Sequence, residues 1–125
     1  MYTALVLTPA SQKELLNHFS GLIPPTWQKI CHHMTINMGN AGSGPLQASQ
    51  FNIGENAELT VITVAGDEKV IAVGVETNVP TANKVKHITL AVNRQDGGKP
   101  FHSNNLTNWQ PTSPIKLQGV IEEVQ

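Results

Sequence analysis

The stretch from Glu58 to Thr77 constrains the fold more than any other part of the sequence. Two β-rich runs, ELTVITVAG and VIAVGVET, are separated only by Asp67-Glu68-Lys69. This pattern predicts two antiparallel strands joined by a short turn. An antiparallel sheet is therefore the centre of the predicted fold.

The remaining elements are shorter and place one helix among several strands. A helix is predicted to begin with a capping box formed by Ser11 and Glu14, and to end by Gly21. One early helix among many strands indicates an α+β fold with a mostly antiparallel sheet. The length fits a single domain, residues 1–125. With the hairpin, about six strands are expected, the others at residues 2–8, 30–38, 86–93 and 115–124.

The composition narrows the class of protein. A single cysteine, Cys31, excludes a disulfide framework and a cysteine-based zinc cluster, and it suits a reducing compartment. The first residues, MYTALVLTPAS, contain no lysine or arginine and only a short apolar run. We therefore expect neither a signal peptide nor a membrane span, and a cytoplasmic protein.

The charge is small in total but uneven along the chain. The formal net charge is −1, so we do not expect long nucleic acid to be bound by bulk electrostatics. Residues 78–121 contain five bases and one acid, whereas the rest of the chain is acidic. Such a distribution suits a small anionic ligand, although an ordinary uneven surface explains it as well.

A short pattern occurs twice. Residues 33–36 read His-Met-Thr-Ile and residues 87–90 read His-Ile-Thr-Leu, each inside a predicted strand. Residues i and i+2 of a strand share a face. Each strand is therefore expected to direct its histidine and threonine to one side and its apolar residues into the core.

The same alternation separates the adjacent histidines at positions 32 and 33. His33 belongs to the polar face, whereas His32 shares the parity of Met34 and Ile36. We expect His32 to be a packed or hydrogen-bonded bystander. Cys31 shares the parity of His33 and is expected to be a small buried residue.

Two histidines and two threonines on facing strands suit phosphate chemistry. Histidine titrates near pH 6.5, so one imidazole can remove a proton while the other delivers one. Threonine hydroxyls can donate to the non-bridging oxygens of a phosphate and stabilise developing charge without a metal. We therefore expect His33 and His87 to be catalytic, and Thr35 and Thr89 to bind phosphate.

The doubled pattern resembles the two signature motifs of the 2H phosphoesterase superfamily. That superfamily includes the 2′-5′ RNA ligase-like proteins, the cyclic phosphodiesterase domains of tRNA ligases and phage enzymes that destroy cyclic-nucleotide signals. The segments CHHMTINMG, KPFHSNNL and SPIKLQGVIEEV are most similar to the tRNA ligase branch.

This resemblance implies a bilobal α+β fold with pseudo-twofold symmetry around a central groove. It also implies a metal-independent phosphodiesterase without a cofactor, in which His33 and His87 are the acid and base and Thr35 and Thr89 hold phosphate oxygens. The substrate would be a 2′,3′-cyclic phosphate on a nucleotide or an RNA 3′ end. The chain is shorter than many members, so its second lobe is expected to be trimmed.

Other residues are weaker candidates for substrate contacts. Lys99 lies in a glycine-proline loop that could cover a phosphate, and Phe101, Trp109 and Tyr2 could stack on a base. The glycine-rich stretch at residues 38–45 lacks the Gly-Lys-Ser/Thr ending of a phosphate-binding loop.

Three rival interpretations remain on sequence grounds. A zinc site is disfavoured because His32 and His33 diverge and no cysteine or carboxylate completes a ligand set. The protein could instead be a nuclease of cyclic oligonucleotide messengers in phage–host conflict, or a non-catalytic RNA- or nucleotide-binding module. The sequence leaves the roles of the two histidines, the physiological substrate and the oligomeric state open.

Overall fold

A computed structural model of the protein describes residues 2–38 and 50–125. Seven strands, one α-helix and two 3₁₀ helices make up this part of the chain. The 3₁₀ helices span Arg94–Asp96 and Pro100–Asn105. The strands and the α-helix are, in chain order, β1 (Tyr2–Leu7), α1 (Pro9–His18), β2 (Gln28–Lys29), β3 (His33–Met38), β4 (Asn56–Gly66), β5 (Val70–Glu76), β6 (His87–Val92) and β7 (Gln110–Val124).

All seven strands belong to one sheet in the order β2-β6-β5-β4-β7-β1-β3, and every pairing is antiparallel. The predicted hairpin is confirmed as β4 and β5. Its turn is closed by the Asp67 carboxylate, which accepts hydrogen bonds from the amides of Lys69 and Val70 at 2.8 and 3.0 Å. The prediction of an α+β fold with a mostly antiparallel sheet is confirmed.

The segment from Gln28 to Met38 connects the two edges of this sheet. Its first part pairs with β6 through β2, and the amides of Ile30 and Cys31 continue that pairing by donating to Leu90 and Thr89 carbonyls at 2.8 and 2.9 Å. Its last part, β3, pairs with β1. The sheet therefore curls, and β3 contacts β6 although they lie near opposite ends of the strand order.

The helix begins earlier than predicted. Thr8 is its N-cap, and the Thr8 hydroxyl accepts a hydrogen bond from the Ser11 amide at 3.2 Å. Pro9 follows at the first helical position, where a missing amide hydrogen costs nothing. Ser11 is instead buried, and its hydroxyl accepts from the Gln118 amide of β7 at 2.9 Å. The predicted capping box was therefore wrong.

The apolar residues of the repeated pattern are in the main hydrophobic core. Met34 and Ile36 of β3, and Ile88 and Leu90 of β6, are at most 1% exposed. Burying side chains of this size stabilises the fold by about 1.5–3 kcal/mol each. With these residues fixed on the core side, the alternation of a strand directs His33, Thr35, His87 and Thr89 to the opposite side.

Three further sequence expectations have different outcomes. No helix in the described ranges is long and apolar enough to cross a membrane. The described strands form one continuous sheet, which does not show a division into two lobes. The two lobes and their pseudo-twofold symmetry stay a prediction. The glycine-rich stretch at residues 38–45 lies, from residue 39 onward, outside the described residues.

Candidate active site

The curled sheet brings both His-x-Thr strands to one cavity of about 420 Å³. His33 and Thr35 reach it from β3, whereas His87 and Thr89 reach it from β6. The four residues predicted to form the site therefore share one cavity. Its wall is completed by Tyr2, Ile30, Met38, Asn83, Pro100, Phe101 and Asn104.

The ring of His87 is held by a backbone carbonyl. Nδ1 of His87 lies 2.8 Å from the carbonyl oxygen of Val85, which can only accept a hydrogen bond. Nδ1 therefore carries a proton, and in the neutral ring Nε2 is left as the acceptor. Burial lowers the pKa of His87, and the bond to Val85 opposes that shift. A neutral His87 with a basic Nε2 is suited to accept a proton.

The ring of His33 is held by its neighbour. Nδ1 of His33 lies 3.0 Å from Nδ1 of His32, and the two rings are nearly perpendicular, at 80°. The pKa of His33 is lowered to about 4, first by burial and then by the charges of His32 and His87. His32 is therefore hydrogen-bonded, as expected, and its partner is the ring of His33. That His32 is a bystander stays a prediction.

Strand alternation failed for the residues before His33 because β3 begins only at that residue. Cys31 has φ of 40°, in the left-handed region that non-glycine residues seldom adopt. It packs in the hydrophobic core, and its thiol lies 3.6 Å from the Gln12 carbonyl oxygen. Burial raises the pKa of Cys31 to about 12, so the thiol is not a ready nucleophile.

The two threonine hydroxyls have different surroundings. The Thr89 hydroxyl lies 2.8 Å from the hydroxyl of Ser103, which is 1% exposed, and 3.4 Å from the Pro100 carbonyl oxygen. No hydrogen-bond partner for the Thr35 side chain occurs within residues 2–38 and 50–125. The backbone of Thr35 is fixed by Thr81, whose hydroxyl donates to its carbonyl at 2.6 Å.

The four weaker candidates divide into two pairs. Tyr2 and Phe101 line the cavity; the Tyr2 ring lies 5.0 Å from that of His33, and Phe101 is 59% exposed. Trp109 does not line it, because its indole packs beside a second apolar cluster, with its ring 6.5 Å from that of His87. Lys99 is exposed and also lies outside the cavity wall, so substrate contacts by Trp109 and Lys99 gain no support.

No side chain with a permanent charge lines the cavity within the described ranges. The bases that suggested an anionic ligand are elsewhere: Lys86 donates to the Thr77 carbonyl at 2.6 Å, and Arg94 donates to the Gln28 side chain. Among the same residues, no three histidine, cysteine or acidic side chains are close enough together to hold a metal ion. The polar groups available in the cavity are thus imidazoles, hydroxyls and amides.

A comparison with known protein families agrees with this arrangement. The fungal tRNA ligase phosphodiesterase domain matches residues 17–124, which is most of the chain and includes both His-x-Thr strands. The chain belongs to this family. The predicted resemblance to the cyclic phosphodiesterase domains of tRNA ligases is therefore confirmed, and membership implies a phosphodiesterase activity. No curated protein and no solved structure is significantly similar to the chain.

Two residues of this phosphodiesterase domain that contact the histidines and threonines escaped sequence reasoning. Ser103 is one of them, because its hydroxyl contacts that of Thr89, 14 residues away in the chain. His32 was separated from His33 by an alternation that applies only inside a strand. Neither contact follows a local spacing rule. The adjacency of His32 and His33 was the only signal in the sequence for either of them.

The low pKa of His33 predicts a pH-dependent stability. The unfolded chain binds a proton at His33 near pH 6.5, whereas the folded protein does so only near pH 4. The stabilisation is therefore complete above pH 6.5 and is lost as the pH falls to 4, by about 3 kcal/mol. Urea unfolding at pH 7 and pH 4 should show a larger loss for the wild type than for His33→Gln. Equal losses in the two proteins would contradict the pKa shift.

Proposed function

We propose that this phosphodiesterase domain is of the 2H type and hydrolyses a cyclic phosphodiester without a metal ion. The substrate we propose is a 2′,3′-cyclic phosphate on a nucleotide or an RNA 3′ end. One observation carries the proposal: two His-x-Thr strands, 54 positions apart, face a single cavity. The central groove and twofold arrangement expected of 2H proteins are part of the proposal.

In the proposed reaction, one histidine acts as base and the other as acid. Nε2 of the base takes a proton from water while the water oxygen bonds to phosphorus. The bond from phosphorus to one ribose oxygen breaks, and that oxygen receives the proton from Nε2 of the acid. The product is a phosphomonoester beside a free hydroxyl. The bond between Nδ1 of His87 and the Val85 carbonyl suits either role, because it leaves Nε2 directed elsewhere.

The threonines are proposed to hold the non-bridging oxygens. Each hydroxyl has one proton, so a threonine that donates to phosphate must accept from its protein neighbour or have none. In the free protein the Thr89 hydroxyl can donate to the Pro100 carbonyl at 3.4 Å, so its proton would turn from this long contact to the phosphate while Ser103 donates to Thr89. Donors fixed before the reaction stabilise the charge that develops on these oxygens.

The uncharged wall of the cavity favours a substrate with a single negative charge. A cyclic phosphodiester carries one charge, whereas the monoester product carries nearly two at neutral pH. One imidazole that has gained a proton at Nε2, together with the hydroxyl donors, is a sufficient partner for one charge. The product lacks a matching cation in the described part of the cavity, which favours its release.

The cavity also suits a nucleobase. Phe101 lies in the cavity wall and is 59% exposed. Tyr2 also lies in the wall, on β1, with its ring beside that of His33. Aromatic faces stack on every base with little sequence preference. We therefore propose that the base rests on Phe101 while the phosphate lies between the histidines.

Replacing either histidine tests the chemistry. His33→Ala and His87→Ala should each lower kcat on a 2′,3′-cyclic mononucleotide by about 10²–10⁴-fold, the usual contribution of acid–base catalysis. EDTA should not change the wild-type rate. The exposed His18→Ala is the matched control and should keep full activity. Wild-type activity in either active-site variant, or loss of activity in EDTA, would refute the mechanism. If the wild-type protein binds the cyclic nucleotide without turnover, a non-catalytic binding module is favoured.

Replacing Thr89 tests the phosphate contact. Thr89→Val keeps the branched shape and removes the hydroxyl, so kcat should fall by about a hundredfold, as for other fixed donors to a developing oxyanion. The exposed Thr107→Val provides the same chemical change away from the cavity. Thermal unfolding followed by circular dichroism would show whether each variant is folded. If folded Thr89→Val matches Thr107→Val in kcat, Thr89 does not contact the phosphate.

Replacing Phe101 tests the base contact. Phe101→Ala should raise KM for a cyclic nucleotide by about tenfold, because stacking contributes about 1–3 kcal/mol per base. Stability should change little, since the side chain is largely exposed. Leu22→Ala removes a comparably exposed apolar side chain, 54% exposed, outside this cavity. Ribose 2′,3′-cyclic phosphate lacks the base, so Phe101→Ala should leave its KM unchanged; an equal rise in both KM values would argue against stacking.

A further inference from the structure

The contact between His32 and His33 has two possible directions. A hydrogen bond between two imidazole nitrogens needs one N–H and one lone pair. The 3.0 Å separation of the two Nδ1 atoms therefore requires a proton on one of them and none on the other. Which nitrogen holds the proton decides what His33 can do with its second nitrogen, Nε2.

Consider first that His32 donates. The neutral His33 ring then has its single proton on Nε2, and Nδ1 is an acceptor. A second proton could enter His33 only at Nδ1, where it would oppose the N–H of His32. In this arrangement Nε2 of His33 cannot take a proton, and His33 cannot become an imidazolium without losing its partner.

Consider next that His33 donates. The proton on Nδ1 of His33 is then held by His32, and Nε2 is a free acceptor in the neutral ring. When His33 gains a proton, it enters at Nε2 and the bond to His32 is kept. This arrangement allows His33 to serve as base or as acid, as the proposed function requires.

We propose that His32 is a positioning residue that accepts a hydrogen bond from Nδ1–H of His33. It thereby keeps Nε2 of His33 directed at the substrate in both protonation states. This inference rests on the proposed function of His33. It gives the two histidines equivalent supports, since the Val85 carbonyl accepts from Nδ1 of His87 at 2.8 Å.

The backbone fixes His32 in the place that this role needs. The carbonyl oxygen of His32 accepts a hydrogen bond from the Leu7 amide at 2.9 Å. Cys31, just before it, has φ of 40° and is fully buried in the core. The backbone of His32 is thus anchored on both sides, and its ring is partly buried. Outer partners of this kind set the tautomer and orientation of a histidine.

The tautomer can be measured without any assay of activity. A long-range ¹H–¹⁵N correlation spectrum of the wild-type protein above pH 7 distinguishes protonated from unprotonated ring nitrogens. We expect His33 to show a protonated Nδ1 and an unprotonated Nε2, as His87 should. In His32→Leu the His33 signals should shift towards a mixture of tautomers, whereas His32→Asn should keep them. A protonated Nε2 on His33 in the free wild-type protein would overturn the proposal.

Kinetics provide the second readout. Asparagine places Oδ1 near the position of Nδ1 of His32, whereas leucine has the same branching without an acceptor. His32→Leu should lower kcat by about tenfold or more with KM little changed, and His32→Asn should restore most of the loss. His18→Leu is the matched control for replacing a histidine. Equal kcat values in His32→Leu and His32→Asn would refute the role of His32. A wild-type protein without any turnover would instead refute the proposed function, and the tautomer measurement would then test the role of His32 alone.

Discussion

The structure depends on a change of pairing partner within one short segment. The amides of Ile30 and Cys31 donate to β6, and two residues later the chain pairs with β1, starting where the Leu7 amide donates to the His32 carbonyl. Without this crossover, β3 and β6 would stay at distant positions in the strand order. Because of it, two strands that carry the same pattern close around one cavity, and each contributes a histidine and a threonine.

The crossover also explains why the histidine environments differ. His87 begins β6, a strand that is buried on both faces, and its Nδ1 contacts the Val85 carbonyl two residues before it. His33 also begins its strand, but the residue before it, His32, lies in the crossover, and its ring contacts Nδ1 of His33. A repeated pattern in the sequence therefore has unequal supports in the structure.

Much of this arrangement could be predicted from the sequence, and the failures have a common cause. Strand alternation correctly assigned Met34 and Ile88 to the core and the histidines and threonines to the other side. It failed at Cys31 and His32, where a left-handed residue interrupts the strand. The Thr8 cap was missed because the distant Gln118 amide donates to Ser11, which the local motif had assigned to the cap. The contact of Ser103 with Thr89 has no local signal in the sequence. A periodic sequence pattern predicts on which face of a strand or helix a side chain lies. It does not predict which side chains of different elements contact one another.

The burial of the site has a consequence for the proposed mechanism. Both histidines are held neutral in the free protein because burial lowers the pKa of each. A neutral pair supplies a base but no acid. A phosphodiester anion placed between the rings opposes that shift, since a nearby negative charge raises the pKa of an imidazole. The substrate would therefore bring the charge that allows one histidine to hold a second proton, and the acid would exist only when there is a leaving oxygen to receive it. The cavity wall is uncharged in the described ranges, which makes this coupling stronger because no fixed cation there competes for the phosphate.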